Sequence, residues 1–383
     1  MHPSSRSPTR DRSTSEGLFL VLASRRAFEA FVGPIPERLA SIFRFAKPNE
    51  EIRIRSLLAD CRLVISKSYL PPPTHRWIFE ARRRGVSTLL LVDGPLEWSN
   101  LYRSPSLVRR MGPGQVGLFE PIIHDGVAAI GETQRRWIEH KNPERGLELM
   151  TYANRRIATS RPQAPSPTAG EDAADRTPEL DFLVTTARTP YFDEAERRDL
   201  IRCLLEACRA LSAGGHRHAF RLFDESLIEA LRREIPDLPL DASGDFAEAL
   251  GRTRCVIGTP SSVLLEAMQH DKPTATLMFR DSPLFYQTGW LLGCTTDWAP
   301  SLESMLARDP KRLDWQRQVL RENLSKSDFF AHCDRIRAGE LLTRPRPIDP
   351  ADLELENRSL RRLLGWRARL FGPILRGLRA RSG

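Results

Sequence analysis

Short apolar runs alternate with amphipathic stretches along most of this chain. Gly17–Ser24 (GLFLVLAS), Cys61–Ser66 (CRLVIS), Val86–Val92 (VSTLLLV) and Gly126–Gly131 (GVAAIG) are too short for helices and read as buried strands. Between them, Phe28–Phe45 is mixed and reads as helical, interrupted by Pro34 and Pro36. His75–Gly85 (HRWIFEARRRG) reads as a helix stopped by glycine, and ETQRRWIEH as a helix after the fourth run. The pattern resumes further on. Asp181–Ala187 (DFLVTTA), His218–Phe223 (HAFRLF), Thr253–Thr259 (TRCVIGT) and the run PTATLMF read as strands. Asp193–Ser212 is an amphipathic helix with Leu200, Leu204, Ala207 and Leu211 at helical spacing, and ESLIEALRREI, DFAEAL and SSVLLEAMQHD are further helices. Strands alternating with helices predict an α/β chain with parallel sheets, here two consecutive Rossmann-like, doubly wound domains.

The expected boundaries follow composition. Residues 1–16 are a Ser-, Arg- and Pro-rich leader without an apolar core, read as disordered and not as a secretion signal. Residues 17–160 form the first domain and 180–342 the second. Residues 161–179, rich in Pro, Ala and acid, are a linker or insertion. Residues 343–383 are a C-terminal extension.

Length and charge narrow the function classes. At 383 residues the chain is long enough for two cores. No apolar run reaches the ~20 residues of a membrane span. The net charge is +9, but eight arginines fall between Arg358 and Arg381, which leaves the remainder close to neutral. That distribution argues against a broad nucleic-acid surface. In the same segment Leu360, Leu363, Leu364, Leu370, Phe371, Ile374, Leu375 and Leu378 share one helical arc. A basic amphipathic helix of this kind fits an anionic membrane surface; the other reading packs it back on the first domain. Cys61, Cys203, Cys208, Cys255, Cys294 and Cys333 show no CxxC pair and no zinc spacing, and read as free thiols of a cytoplasmic protein.

In doubly wound sheets, ligands bind beyond the carboxyl ends of the strands. That rule selects Asp93, Arg188, Arg221 with Asp224, and Ser261 with Ser262. Thr259-Pro260-Ser261-Ser262 joins a strand to a helix, where free N–H groups and the positive dipole end suit a phosphate. Glu266 lies about one turn inward, placed to accept from ribose hydroxyls; the plainer reading is a capped helix with a solvated glutamate. Arg188 is either a diphosphate contact or a surface arginine, and Asp193 or Thr189 caps the helix that follows. His216 and His218 read as structural or exposed. No phosphate-binding GxxxxGK[ST] loop, GxGxxG, HExxH or GxSxG motif is present.

The stretch Val256–Leu277 (VIGTPSSVLLEAMQHDKPTATL) resembles the donor-binding signature of GT-B-fold glycosyltransferases. It is closest in style to bacterial capsule and surface-polysaccharide enzymes, including polysialyltransferase-like and glycerophosphotransferase-like families. The resemblance implies that Ser261, Ser262 and Glu266 contact the nucleotide of a nucleotide-sugar donor and that Arg221 supplies the cation for its phosphates; Thr259 and, from its place after a strand, Arg188 are further donor-binding candidates. It implies a glycan or lipid-linked acceptor, no cofactor and no metal. LLLVDGPLEWSN (Leu89–Asn100) matches the acidic-Gly motif of those families, whose carboxylate is the general base. Asp93 takes that place, with Glu97 as a fallback and an ordinary Asp-Gly turn as the alternative. Two departures stand out. Val92 precedes Asp93 where a second acid is common, and the His-Pro pair expected after HAFRLF is absent. The expectation is an inverting glycosyltransferase of surface or capsular polysaccharide assembly, peripheral on the inner membrane. A 2-epimerase, a glycerophosphotransferase and a membrane-associated scaffold without catalysis are the alternatives.

Overall fold

A computed structural model of the chain describes residues 17–67, 72–103, 117–158, 178–241, 243–280, 286–358 and 361. The expected leader over 1–16, nearly all of the expected linker over 161–179 and the arginine-rich segment beyond residue 361 lie outside them.

The first sheet has six strands in the order β2-β1-β3-β4-β5-β6, all parallel. They are β1 (Leu18–Val21), β2 (Phe43–Phe45), β3 (Cys61–Ser66), β4 (Ser87–Leu91), β5 (Gly126–Ala129) and β6 (Glu148–Thr151). The helices of this half are α1 (Arg25–Val32), α2 (Glu37–Ala40), α3 (Glu51–Leu58), α4 (Pro72–Arg83), α5 (Trp98–Tyr102), α6 (Glu132–Lys141) and α7 (Arg155–Ala158). The inner strands are apolar on both faces because helices cover both: all five residues of β4 are buried.

The second sheet has five strands in the order β11-β10-β9-β7-β8, again all parallel. These are β7 (Leu180–Thr185), β8 (His218–Arg221), β9 (Thr253–Gly258), β10 (Thr274–Met278) and β11 (Trp290–Gly293). Its helices are α8 (Glu194–Ala213), α9 (Glu225–Glu234), α10 (Phe246–Gly251), α11 (Ser262–Gln269), α12 (Ala299–Leu306) and α13 (Pro310–Asn323). Leu200, Leu204, Ala207 and Leu211 of α8 are buried, as their spacing predicts, and Asp193 caps the helix through Glu196 N. Two doubly wound parallel sheets are thus what the alternating pattern foretold.

Three strands were not read from the pattern. β2, β6 and β11 are three of the four edge strands and have mixed burial; the fourth, β8, falls in the run HAFRLF that the pattern did show. The reading of Phe28–Phe45 as helical is corrected accordingly: it contains α1, α2 and strand β2. The free-thiol reading is corrected too. Cys203 of α8 and Cys294 just past β11 form a disulfide, with Cα atoms 4.6 Å apart, while Cys61, Cys208, Cys255 and Cys333 are free and buried.

The chain then returns to the first sheet. In α14 (Phe329–Ala338), Phe329, Phe330, Cys333 and Ile336 share a core with Phe19, Phe28 and Phe43. Residues 350–358 are helical, and Leu355 is buried among first-domain side chains. Asp352 on this helix is fully buried against Arg82 and Arg145, and Glu356 pairs with Arg83. The described part of the extension therefore packs on the first domain. No described helix is long and apolar enough to cross a membrane.

Candidate active site between the two domains

Both sheets share one topological feature. The chain starts in the middle, adds a strand on one side, then crosses to the other. Helices leave on opposite faces at that reversal, so a crevice opens between the strand ends. In the second sheet the reversal lies between β7 and β9. There the segments after the two strands are bonded together: Thr259 N donates to Thr185 O, and Ala187 N donates to the Thr259 hydroxyl at 2.7 Å. Gly258 permits this closeness, since a Cβ there would sit 3.1 Å from the Thr185 carbonyl. Thr259 is buried and committed to this joint, and it is not part of the cavity wall.

A cavity of about 790 Å³ lies between the domains, a size that suits a small organic ligand. Asp93, Glu97, Arg188, Arg221, Ser261, Ser262 and Glu266 all reach its wall, so seven of the eight residues chosen from sequence converge there.

Asp93 follows β4 on a loop that is built, not merely turned. The Tyr152 hydroxyl donates to Val92 O at 2.7 Å, Asn154 Nδ2 to Asp93 O at 3.2 Å, and Gln134 Nε2 to Gly94 O at 2.8 Å. Side chains from two further segments thus fix three successive carbonyls. Gly94 has open space around it and no left-handed φ, so sterics do not demand glycine there. Asp93 is exposed to the cleft and lines its wall. Desolvation pushes its carboxyl above the usual aspartate range, partly opposed by the positive charges of Lys67 and Arg156. A carboxyl raised in this way, at the wall of a cavity, has the character of a proton acceptor.

Glu97 differs. It is buried and ion-paired with Arg280, which comes from the end of β10 in the other domain. Its charge is already matched, which sets it apart from Asp93.

Ser261 is the N-terminal cap residue of α11, with extended φ and ψ, but its hydroxyl makes no capping bond. The Tyr286 hydroxyl instead grips the Ser261 backbone, accepting from its N–H at 3.1 Å and donating to its carbonyl. The Ser261 hydroxyl oxygen is buried and has no partner, a cost that a bound acceptor or donor would remove. Glu266 is nearly buried one turn further on.

The two arginines separate. Arg221 Nη1 bonds Asp241 at 2.7 Å and Ser243 O at 2.9 Å, so its charge is neutralised by a fully buried carboxylate. Arg188 is exposed, makes no ion pair with another described residue, and lies 5.9 Å over the Phe223 ring. Lys67, Arg156 and Arg280 were missed from sequence. Lys67 and Arg280 each follow a strand closely and obey the carboxyl-end rule that chose the others. Arg156 comes from α7, which follows β6, an edge strand that was not read from the pattern. His216 and His218 are structural, as expected: His216 packs edge-on against Phe182, and His218 Nδ1 bonds His216 O. No cluster of metal ligands occurs among the described residues.

Comparison with known proteins sets this architecture in context. No family model matches the chain, and no curated protein matches it in sequence. Solved structures do match in shape. The UDP-GlcNAc 2-epimerase from Neisseria meningitidis bound to UDP-GlcNAc superposes with a TM-score of 0.55 at 11% identity, over 85% of this chain and 100% of its own. The S. aureus MnaA–UDP complex gives 0.52 at 11% identity, over 87% and 100%. The Methanocaldococcus jannaschii UDP-GlcNAc 2-epimerase in complex with UDP-GlcNAc and UDP gives 0.50 at 12%, over 84% and 99%. The fold is GT-B-like. At such identities the likeness concerns the fold alone, and function has to be argued from the site.

Proposed function

We propose that this protein is a nucleotide-sugar-dependent glycosyltransferase. One observation carries the reading: a carboxylate from the first domain, Asp93, and a helix N-terminus with an unpartnered serine hydroxyl from the second line the same cavity. Asp93 takes the proton from an acceptor hydroxyl as that oxygen bonds to the anomeric carbon. The bond from that carbon to the nucleotide phosphate breaks, and the leaving phosphate carries away the electron pair. The α11 N-terminus and Arg188 stabilise its charge. The acceptor is a glycan or a lipid-linked glycan of surface or capsular polysaccharide assembly. The arginine-rich segment 358–381 rests on the anionic face of the inner membrane. With a protein base the transfer inverts the anomeric centre.

A 2-epimerase is the second reading. Four carboxylates, Asp93, Glu97, Asp245 and Glu266, gather in the cavity, and the matched epimerase structures hold UDP-GlcNAc or UDP. Two of the four have other duties: Glu97 pairs with Arg280, and Asp245 caps α10 through Glu248 N. No histidine lines the cavity among the described residues, so an epimerase here would have to use Asp93 and Glu266 as its two proton carriers.

A binding screen with UDP-, GDP-, CMP- and CDP-linked sugars tests the proposal, followed by product analysis of the donor that binds. Transfer to a hydroxyl acceptor, lost in Asp93→Asn with donor affinity retained, is the expected result. Inversion at C2 of the donor without acceptor establishes the epimerase. Silence across the panel leaves the scaffold reading.

A further inference from the structure

Arg280 is buried with only 5% of its side chain accessible, and it reaches both domains. One Nη pairs with Glu97 of the first domain, on the loop that begins at Asp93. The other lies 3.2 Å from Glu196 on the first turn of α8 in the second. The guanidinium sits between the rings of Phe192 and Phe279, at 4.8 and 5.0 Å from their centroids. Glu196 also accepts from Phe192 N at 2.9 Å, which ties in the loop that carries Arg188. A second tie runs the opposite way: Arg103 of the first domain lies 3.0 Å from Asp193 and 3.4 Å from Glu196. The two ties are unequal. Arg103 and Asp193 are each about half exposed, and solvent and salt screen such pairs to near insignificance. The Arg280 pairs are dry, and a planar guanidinium can serve two carboxylates at once where a lysine cannot.

We infer that Arg280 is a positioning residue, an interdomain tie that holds the Asp93 loop at a set distance from the donor-binding half of the cleft. The assignment of Asp93 as the base rests on the function proposed above; the tie itself does not. Without Arg280, Glu97 loses its ion pair from the other domain and Glu196 is left with the 3.4 Å contact to half-exposed Arg103, so the attraction across the cleft weakens. Glu97, on this account, serves the tie and not the chemistry.

Amide hydrogen exchange of the full chain tests the tie with no substrate present. In Arg280→Met, and less strongly in Arg280→Lys, amides of 96–102 and 192–200 exchange at least tenfold faster, while those of β1, β3 and β9 keep their rates. Arg103→Met changes the same amides by less than twofold. Combining Arg280→Met with Glu97→Gln gives no more than the larger single effect. Unchanged exchange in both Arg280 variants, or additive effects of Arg280 and Glu97, overturns the inference. If Arg280→Met does not fold, Arg280→Lys alone decides. With a donor found by the screen, Arg280→Met lowers turnover at least tenfold and leaves donor affinity within threefold. A weaker donor with normal turnover would make Arg280 a ligand contact and defeat the positioning role. Faster exchange with no nucleotide bound would keep the tie and remove the proposed activity.

Discussion

Asp352→Asn should destabilise the first domain by about 3–5 kcal/mol, the range for removing one partner from a buried ion pair. Asp352 is fully buried on the returning helix at 350–358. It accepts from Arg82 Nη1 at 2.8 Å, from Arg145 and from Arg346 Nη2 at 3.3 Å. Asp125 and Asp349 complete the set, so three arginines face three carboxylates, of which Asp352 and Asp125 are buried and Asp349 is partly exposed. Asparagine keeps the shape and removes one of the three negative charges. Two of the lost bonds are direct and buried, at roughly 1.5–3 kcal/mol each for bonds to charged groups. Their sum matches the range above. Guanidinium denaturation followed through Trp77, which is buried in the first-domain core, reads the effect. With a slope of roughly 4 kcal/mol per molar, the midpoint should fall by ~1 M. Asp314→Asn, whose carboxylate is 72% exposed beside Arg317, is the control and should shift it by less than ~0.3 M. An Asp352→Asn midpoint within the control's range would refute the reasoning. It would mean that the returning segment is not held by this cluster.

Asp93 has a folded pKa above its unfolded value of about 3.9, so its ionised form costs stability once pH exceeds the raised pKa and costs nothing below about 3.9. Asp93→Asn should therefore raise the melting temperature at pH 7 and leave it unchanged at pH 3.5, while abolishing turnover; a lower melting temperature at pH 7 would contradict the desolvation argument. His124 is wholly buried, its Nε2 2.8 Å from the Ser66 hydroxyl, and burial first, then the charges of His75, Arg82 and Arg346, hold its pKa well below the usual value. Unfolding lets it take a proton as pH drops below about 6.5, so stability falls by up to ~1.4 kcal/mol per pH unit there, and His124→Gln should flatten that slope in denaturation curves at pH 5 and 7.5. Gly131 caps α6 where the chain touches the end of α13, and an added Cβ would collide with the Asn323 carbonyl group. Backbone cannot give way as a side chain can, so Gly131→Ala should cost about 1–3 kcal/mol in thermal unfolding, whereas Gly94→Ala, with open space around it, should cost under about 0.5 kcal/mol.

How much of this could be read from the chain differs by element. The inner strands announced themselves because burial on both faces forces an unbroken apolar run, as in STLLL of β4 and the buried core of β9. Of the four edge strands, β8 showed as the run HAFRLF, whereas β2, β6 and β11 are only three or four residues long and do not stand out from their surroundings. Helix α8 was legible from its spacing and its aspartate cap. The disulfide was not, since Cys203 and Cys294 are 91 residues apart and only the packing of α8 beside β11 brings them together.

The site divides along the same line. The sequence by itself determined which residues stand at or just beyond the strand ends: Asp93 after β4, Arg188 after β7, Arg221 as the last residue of β8, Ser261 after β9. Strand direction fixes that placement, because parallel strands deliver all their carboxyl ends to one edge. What each side chain does there was decided by tertiary structure alone. Arg221 and Glu97 looked as available as Arg188 and Asp93, yet the first pair is neutralised by Asp241 and Arg280 and the second pair is not held in any such ion pair among the described residues. Ionic partners lie 20 and 183 residues away in sequence. Charge and desolvation depend on distance in space, and no local pattern carries that information.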